Sequence, residues 1–310
     1  MSEPLVSVCI GTYNREATLR ECLESVFAQT YPNLEVVVAD NASTDRTVEI
    51  LKGHGGRIRL IERAENSGMC STTRNLAVRA ATGTYVAFLD SDDSWHPEKI
   101  ARQVAFMRDH PHCPLCHTYC RVMDGNSVEG AIRHEGKVPA TGRCFEALLD
   151  HCWITISTVL MKRSLYGECG PFTETLPYGR LGEDWEFFLK VARAYEIGFL
   201  PEALARYRKA GEGISGGDWR AMPEAFPFIC RLWRRRDLWG GVVAQSRMDE
   251  VLRRSALEGS RYWRSRGEGG KAAYFPVQLL LRRPWCAEAW TELGRSLFRA
   301  AVPRGNSDGR

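Results

Sequence analysis

Three carboxylates and a hydroxyl stand in a row at Asp90-Ser91-Asp92-Asp93, directly after the apolar stretch Tyr85-Val86-Ala87-Phe88-Leu89. Carboxylates this close repel one another unless a cation or a basic group sits among them. Hard oxygen donors of this kind suit Mg2+ or Mn2+, ions that keep several waters and bridge to substrate phosphates. If the strand continues, alternation puts Asp90 and Asp92 on one side, where both address the same site. The plainer alternative is an acidic turn capping the helix that opens near Pro97. A second group, His112-Cys113-Pro114-Leu115-Cys116-His117 with Cys120 nearby, has the ligand types of a zinc site. No matching second CxxC accompanies it, and incidental cysteines among strands and loops are the preferred reading.

Chemistry at residue 90 needs elements that bring other groups to it. Residues 5–10 are a short apolar run ending at Gly11, read as a buried strand and a turn. Across 16–29, Leu19, Leu23, Val26 and Phe27 recur at helical spacing. Tyr31-Pro32-Asn33 breaks that helix, and 34–39 is a second buried strand. Residues 45–51 read as a helix entered through the capping types Ser43-Thr44-Asp45. A third strand is expected at 58–61, a helix at 72–81 and a fourth strand at 84–89. Pro97 opens another helix at its favoured first position. Short strands and loops are expected over 111–142, and 153–161 is strand-like. Residues 184–195 form a helix with Trp185, Phe188, Leu189 and Ala192 on one face.

This alternation predicts an α/β fold with a mostly parallel, Rossmann-like sheet flanked by helices. That domain is expected to span 1–216, followed by a helical, arginine-rich extension over 217–310 with a frayed tail at 303–310. In such sheets ligands bind beyond the carboxyl ends of the strands. The polar residues at those ends are Thr12, Tyr13 and Asn14; Asp40 and Asn41; and Asp90, Ser91, Asp92 and Asp93.

Bulk composition narrows the class. With 310 residues, 44% hydrophobic and 26% charged, the chain reads as soluble and globular. A formal net charge of +4 is too small to argue for nucleic acid, which is not expected as a partner. Eleven cysteines are an odd number, and MSEPLVSVCIGTYN has no charged stretch followed by an apolar one. The expectation is a reduced, cytoplasmic protein. No run approaches the ~20 apolar residues needed to cross a bilayer. Phe228-Ile229-Cys230-Arg231-Leu232-Trp233 and Leu279-Leu280-Leu281-Arg282-Arg283-Pro284-Trp285 mix bulky apolar and basic residues. Such helices either lie peripherally on an anionic membrane or pack back on the catalytic domain, the commoner outcome.

Three blocks together resemble the family 2 glycosyltransferases. They are VSVCIGTYNREATLRECLESVFAQTYPNLEVVVADNASTDRT, NSGMCSTTRNLAVRAATGTYVAFLDSDDSWHPEKI and GEDWEFFLKVARAYEIGFLPEALARYR, in the family's order and spacing. They cover roughly the first two-thirds of the chain. The resemblance implies a GT-A fold, a nucleotide-diphosphate-sugar donor, a divalent metal (Mg2+ or Mn2+) and inversion at the anomeric carbon. It places Tyr13, with Thr12 beside it, near the base, where an aromatic face can stack on uracil. Asp40 matches the acid that accepts from the base N3–H, which favours a UDP- or dTDP-sugar. Arg74 matches the arginine near the nucleotide, and Asp90 with Ser91 lies near the ribose. Asp92 matches the metal ligand, with Asp93 as the alternative.

The resemblance also assigns Asp184, in Gly182-Glu183-Asp184-Trp185-Glu186, as the base that deprotonates the acceptor hydroxyl, with Glu183 as the alternative. Read from the residues alone, both acids also fit a helix's first turn. Trp185 is either an acceptor-sugar platform or part of the helix's apolar face. Arg208, in Tyr207-Arg208, is placed at the donor diphosphate. Two departures stand out: the family's usual Pro is Gly11, and its usual acid pair at the second strand is Asp40-Asn41. The expected reaction transfers a sugar to a hydroxyl of a glycan, glycolipid or other acceptor. A sugar-phosphate nucleotidyltransferase would need a glycine-rich, basic signature that GTYNRE lacks. An inactive nucleotide-sugar-binding module is opposed by the intact Asp92 and Asp184.

Overall fold

The computed structural model of the chain describes residues 3–137, 139–174, 182–209 and 225–301. The elements run β1 (Val6–Thr12), α1 (Leu19–Phe27), β2 (Leu34–Asp40), α2 (Thr47–Lys52), β3 (Arg59–Glu62), α3 (Cys70–Ala80) and β4 (Tyr85–Asp90). Then come β5 (Ser94–Trp95), α4 (Lys99–Asp109), β6 (Leu115–Met123), β7 (Glu129–Ile132), α5 (Phe145–Asp150), β8 (Leu160–Lys162) and α6 (Ser164–Glu168). α7 (Glu183–Ala194) and β9 (Ile197–Arg208) complete the sheet unit. The described residues divide into two compact units, 3–174 with 183–209, and 225–301.

In the first unit the strands lie in the order β3-β2-β1-β4-β8-β6-β9-β5, with β7 beside β6. The half from β3 to β4 is parallel, as the alternating sequence predicts. Beyond β4 the sheet is mixed, because β8 enters antiparallel to both β4 and β6. β1 and β4 are buried almost throughout, since helices cover both faces of a parallel sheet. Val6, Val8 and Ile10 face one side, against Leu19, Leu23 and Val26 of α1 and Ile100, Val104 and Met107 of α4. The i, i+4, i+7 spacing in α1 is what turns those three side chains to one face.

Residues of opposite parity meet α3. A methyl at Gly11 would run into the Thr73 hydroxyl of α3, so the departure from proline there coincides with a close helix–strand approach. The strand expected over 153–161 is mostly irregular, with a 3-10 turn at Ile156–Thr158 and β8 only at its end. Side chains supply the reason. Thr158 Oγ1 donates to Thr155 O at 2.7 Å, and the Trp95 indole N–H donates to Ser157 O at 2.7 Å.

The second unit contains α8 (Ala225–Arg234), α9 (Arg236–Trp239), α10 (Gln245–Ser265), α11 (Gly269–Leu280) and α12 (Ala287–Ala301). Met248, Val251, Leu252, Phe275 and Leu279 form its interior. The expected boundary at 216/217 and the expected frayed tail at 303–310 lie outside the described residues. Among the described residues, no helix is long and apolar enough to cross a membrane.

Candidate active site

The parallel half brings three strand ends level at the point where strand order reverses. Thr12 pairs with Asp40, and Gly11 pairs with Asp90. Crevices at such switch points are where open α/β sheets bind ligands. The loops after β1 and β2 are stitched together by groups that no local pattern reveals. Asn14, at φ 49°, donates its backbone N–H to Ser43 Oγ at 2.9 Å. Ser43 Oγ donates to Asp40 Oδ1 at 2.5 Å, and the Ser43 N–H to Asp40 Oδ2 at 2.9 Å. Asp40 is therefore buried and oriented by the loop it caps. Tyr13 is 41% exposed, so its ring face is open to a ligand. Thr12 Oγ1 is buried without a hydrogen-bond partner.

The acidic segment is a tight turn and not a continuing strand. The Asp93 N–H donates to Asp90 O at 2.9 Å, which ends β4 at Asp90 and removes the alternation argument for Asp90 and Asp92. The three acids nonetheless have different fates. The side chains of Asp90 and Asp92 keep 36% and 33% of their surface. Asp93 is buried, its Oδ1 taking the Arg208 N–H at 2.8 Å and its Oδ2 the Ser157 hydroxyl at 2.5 Å. Ser91 is buried, and its carbonyl takes the Thr18 hydroxyl at 3.0 Å. Burial, then the Asp90 charge, pushes Asp92 above the ordinary carboxylate range, with Arg15 at 3.3 Å partly offsetting them. Burial and its two acidic neighbours push Asp93 up as well.

Two partly accessible carboxylates on one turn, Asp92 raised by burial and by the Asp90 charge, fit a hard divalent cation. The zinc expectation fares differently. Cys113, Cys116, His117 and Cys120 are buried, and strand alternation sends Cys116 and His117 to opposite faces of β6. His117 Nε2 meets Ala140 O at 2.7 Å, and Cys120 Sγ donates to Thr155 Oγ1 at 3.7 Å. Among the described residues, the potential ligands that do converge nearby are His112, Cys113 and Glu196, and Glu196 already pairs with Arg143.

Arg74 joins the two acidic motifs. From α3 it donates to Asp90 Oδ1 at 2.8 Å and to Glu183 Oε1 at 2.5 Å, with only 9% of its side chain exposed. Its sequence motif placed it at the nucleotide; its guanidinium is in fact shared between these carboxylates. Glu183 is buried beneath this pair, whereas Asp184 beside it is half-buried. Burial raises both carboxyls, and the Arg74 charge opposes that rise. Asn75, next to Arg74, holds the chain ahead of α7 by taking the Phe172 N–H at 3.0 Å and donating to Phe172 O at 2.8 Å.

Two expected contacts are redirected. Arg208, expected at the diphosphate, is 6% exposed and donates to Asp92 O, Asp124 O, Ser127 Oγ and Glu21. A guanidinium so committed clamps the acidic turn from behind. Trp185, read as either an acceptor platform or part of its helix's apolar face, takes the second place: it is 3% exposed and donates its indole N–H to Leu148 O at 2.6 Å, packed between α5 and α7. Its i, i+3, i+4 companions Phe188 and Leu189 already draw it inward. Arg15 and Ser157 were not singled out by sequence, and Ser43 only as a helix-capping type. Each acts across a loop or between strands, where no spacing rule applies.

Comparison with known proteins identifies the family and the fold. The model of "Glycosyl transferase family 2" matches residues 7–170. The putative teichuronic acid biosynthesis glycosyltransferase TuaG of Bacillus subtilis (strain 168) is 31% identical over 235 residues, 74% of this chain and 88% of that protein. WfgD of Escherichia coli, a UDP-Glc:alpha-D-GlcNAc-diphosphoundecaprenol beta-1,3-glucosyltransferase, is 29% identical over 228 residues, 72% of this chain and 84% of WfgD. S. aureus TarS 1-349, solved in complex with UDP-GlcNAc, shares the fold with a TM-score of 0.66 at 22% identity, over 95% of this chain and 89% of that one. The chain belongs to glycosyl transferase family 2, is a glycosyltransferase, and has the GT-A fold.

Proposed function

We propose that the chain is an inverting glycosyltransferase that moves a sugar from a UDP- or dTDP-sugar to a hydroxyl of a glycan or lipid-linked acceptor. The observation that supports this reading is the Arg74 bridge, which pairs with Asp90 of the acidic turn and with Glu183, the chain neighbour of Asp184. Tyr13 borders that crevice at the end of β1 with its ring open for stacking on a pyrimidine base, whereas Asp40, 1% exposed and with both oxygens taken by Ser43, would meet the base N3–H only through a lone pair those bonds leave. Asp92, with Asp90, would hold Mg2+ or Mn2+; Asp93, the alternative ligand, already spends both oxygens on protein donors. When bound, the ion would neutralise charge on the departing diphosphate. Asp184 takes the acceptor hydroxyl's proton as that oxygen bonds the anomeric carbon and the bond to the diphosphate breaks. Arg208 and Ser157 keep the acidic turn in place.

Isothermal titration of UDP, with and without Mn2+, on wild type and Asp92→Asn tests the donor half. Metal-dependent micromolar binding that is lost in Asp92→Asn is the expected result. Binding indifferent to both removes the uridine and metal assignments. Turnover of a UDP-sugar separates this reading from an inactive binding module.

We also place the protein peripherally on an anionic membrane. Trp290, Leu297 and Phe298 are exposed at i, i+7, i+8 on α12, and Leu281 and Trp285 are exposed just before it. Arg282, Arg283 and Arg295 flank this stripe, the pairing of apolar and basic groups that an anionic interface attracts. Flotation with phosphatidylglycerol vesicles should carry the wild type but not a Trp285→Ser/Trp290→Ser/Phe298→Ser variant. Equal flotation of both, or of neither, refutes it.

A further inference from the structure

A second concave surface opens beside the crevice, between β6, β9 and the segments after β7 and α5. It is a shallow, open depression with little enclosed space. Its lining includes Arg133 and Lys137 and no Asp or Glu. Tyr119, Trp153 and Phe199 give it an aromatic wall, with Tyr119 and Phe199 edge to face at 4.8 Å. His117 lines it too, 2% exposed. Its Nε2 lies 2.7 Å from Ala140 O, so that nitrogen carries the proton, and Nδ1 is left as a buried acceptor with no well-formed partner. Burial lowers this imidazole to about 4, which keeps it neutral in the wall of the cleft.

The cleft and the crevice share a wall. Arg133 donates to Thr155 Oγ1 at 3.2 Å, and two residues on, Ser157 holds Asp93 and takes the Asp90 N–H at 3.1 Å. At the other end of that wall, Cys152 feels both the Asp184 and the Arg133 charges. A molecule lying along 152–157 therefore runs from the cations to the base.

We propose that this cleft is the subsite for a phosphate-bearing acceptor. Arg133 and Lys137 hold the phosphate, and the aromatic wall takes the apolar face of the attached sugar or polyol. The proposal rests on Asp184 as the base, because it orients the attacking hydroxyl toward that carboxylate. Guanidinium and ammonium groups against phosphate make charge-assisted hydrogen bonds, and no acid lines the cleft beside them. A phosphate of this kind occurs both in diphosphate-linked lipids and in polyol phosphate polymers, and the test separates the two.

The protein is first saturated with UDP and Mn2+, and that titration reports on the donor site by itself. Tryptophan fluorescence then follows two anionic probes. One is farnesyl-diphosphate-linked N-acetylglucosamine, compared with the neutral farnesyl glycoside of the same sugar. The other is a short glycerol phosphate oligomer, compared with glycerol. At least one anionic probe should bind about tenfold or more tighter than its neutral counterpart, and the one that does names the source. Arg133→Ala/Lys137→Ala should erase that preference while leaving UDP affinity unchanged. Because Arg133 also stacks 3.9 Å over Tyr207, Lys137→Ala alone serves where the double variant does not fold, and it should weaken the anionic probe severalfold. An anionic probe that binds no better than its neutral counterpart, or equally well to the variants, overturns the proposal whether or not UDP binds.

Discussion

Replacing Arg74 by methionine keeps much of the side-chain volume and removes the charge that joins Asp90 to Glu183. Asp90 retains 36% of its surface, so solvent absorbs most of its loss, at about 0–1 kcal/mol. Glu183 is 7% exposed on its side chain and is stranded. Breaking a buried pair from one side costs about 3–5 kcal/mol. The stranded carboxyl can instead take a proton, which caps its cost. Burial already holds Glu183 at about 7 beside Arg74, so below that pH the carboxyl is protonated in both proteins and the variant loses only the bond to Arg74. Without Arg74 the folded value rises further, so the deficit is smallest below about pH 7 and widens as pH climbs above it, by up to about 1.4 kcal/mol per unit. Urea unfolding of wild type and Arg74→Met should therefore differ by about 1–3 kcal/mol at pH 6 and by about 1 kcal/mol more at pH 8. Arg74→Met/Glu183→Gln should regain most of the loss at pH 7 and lose the pH dependence. A cost below about 1 kcal/mol at pH 7, or one that does not change with pH, would refute the bridge as the anchor between the two motifs.

Asp184→Asn should lower kcat by about 10²–10⁴-fold with UDP affinity unchanged. In the wild type, kcat/KM should rise with pH through a value above the ordinary aspartate range, because burial raises Asp184. A variant that retains a tenth or more of the activity (about one order, against at least two expected) would move the base to Glu183. Lys99 is fully buried over the Trp95 ring at 4.1 Å, its ammonium donating to Gln103 at 2.6 Å, and burial lowers it to about 7. The unfolded chain therefore holds the extra proton between about pH 7 and 10, so stability should rise with pH there, by up to about 1.4 kcal/mol per unit. Lys99→Met should flatten that slope in thermal melts; an unchanged slope would mean that the ammonium is solvated.

Much of the sheet was legible in the chain's own pattern. Apolar runs at β1, β2 and β4 and the 3.6-residue spacing in α1 are local signals, each read from one short window. So were the chemical types at the strand ends: a hydroxyl, an aromatic ring and acids at 12, 13, 40 and 90–93, and the Glu183-Asp184 pair that opens α7. The strand expected over 153–161 misled because the Thr158 hydroxyl donates to the Thr155 carbonyl and closes a turn, a choice that apolar spacing does not reveal. What each polar group does was decided only in three dimensions. Arg74 meets an acid 16 positions away and another 109 away, and Arg208 reaches 187 positions back to Glu21. The same folding buried Trp185, paired both oxygens of Asp93 and left Asp92 accessible. Local spacing determines which way a side chain leaves its own element. Which partner it finds is set by how distant elements pack, and buried charges and hydrogen-bonding groups take the partners that packing brings within reach.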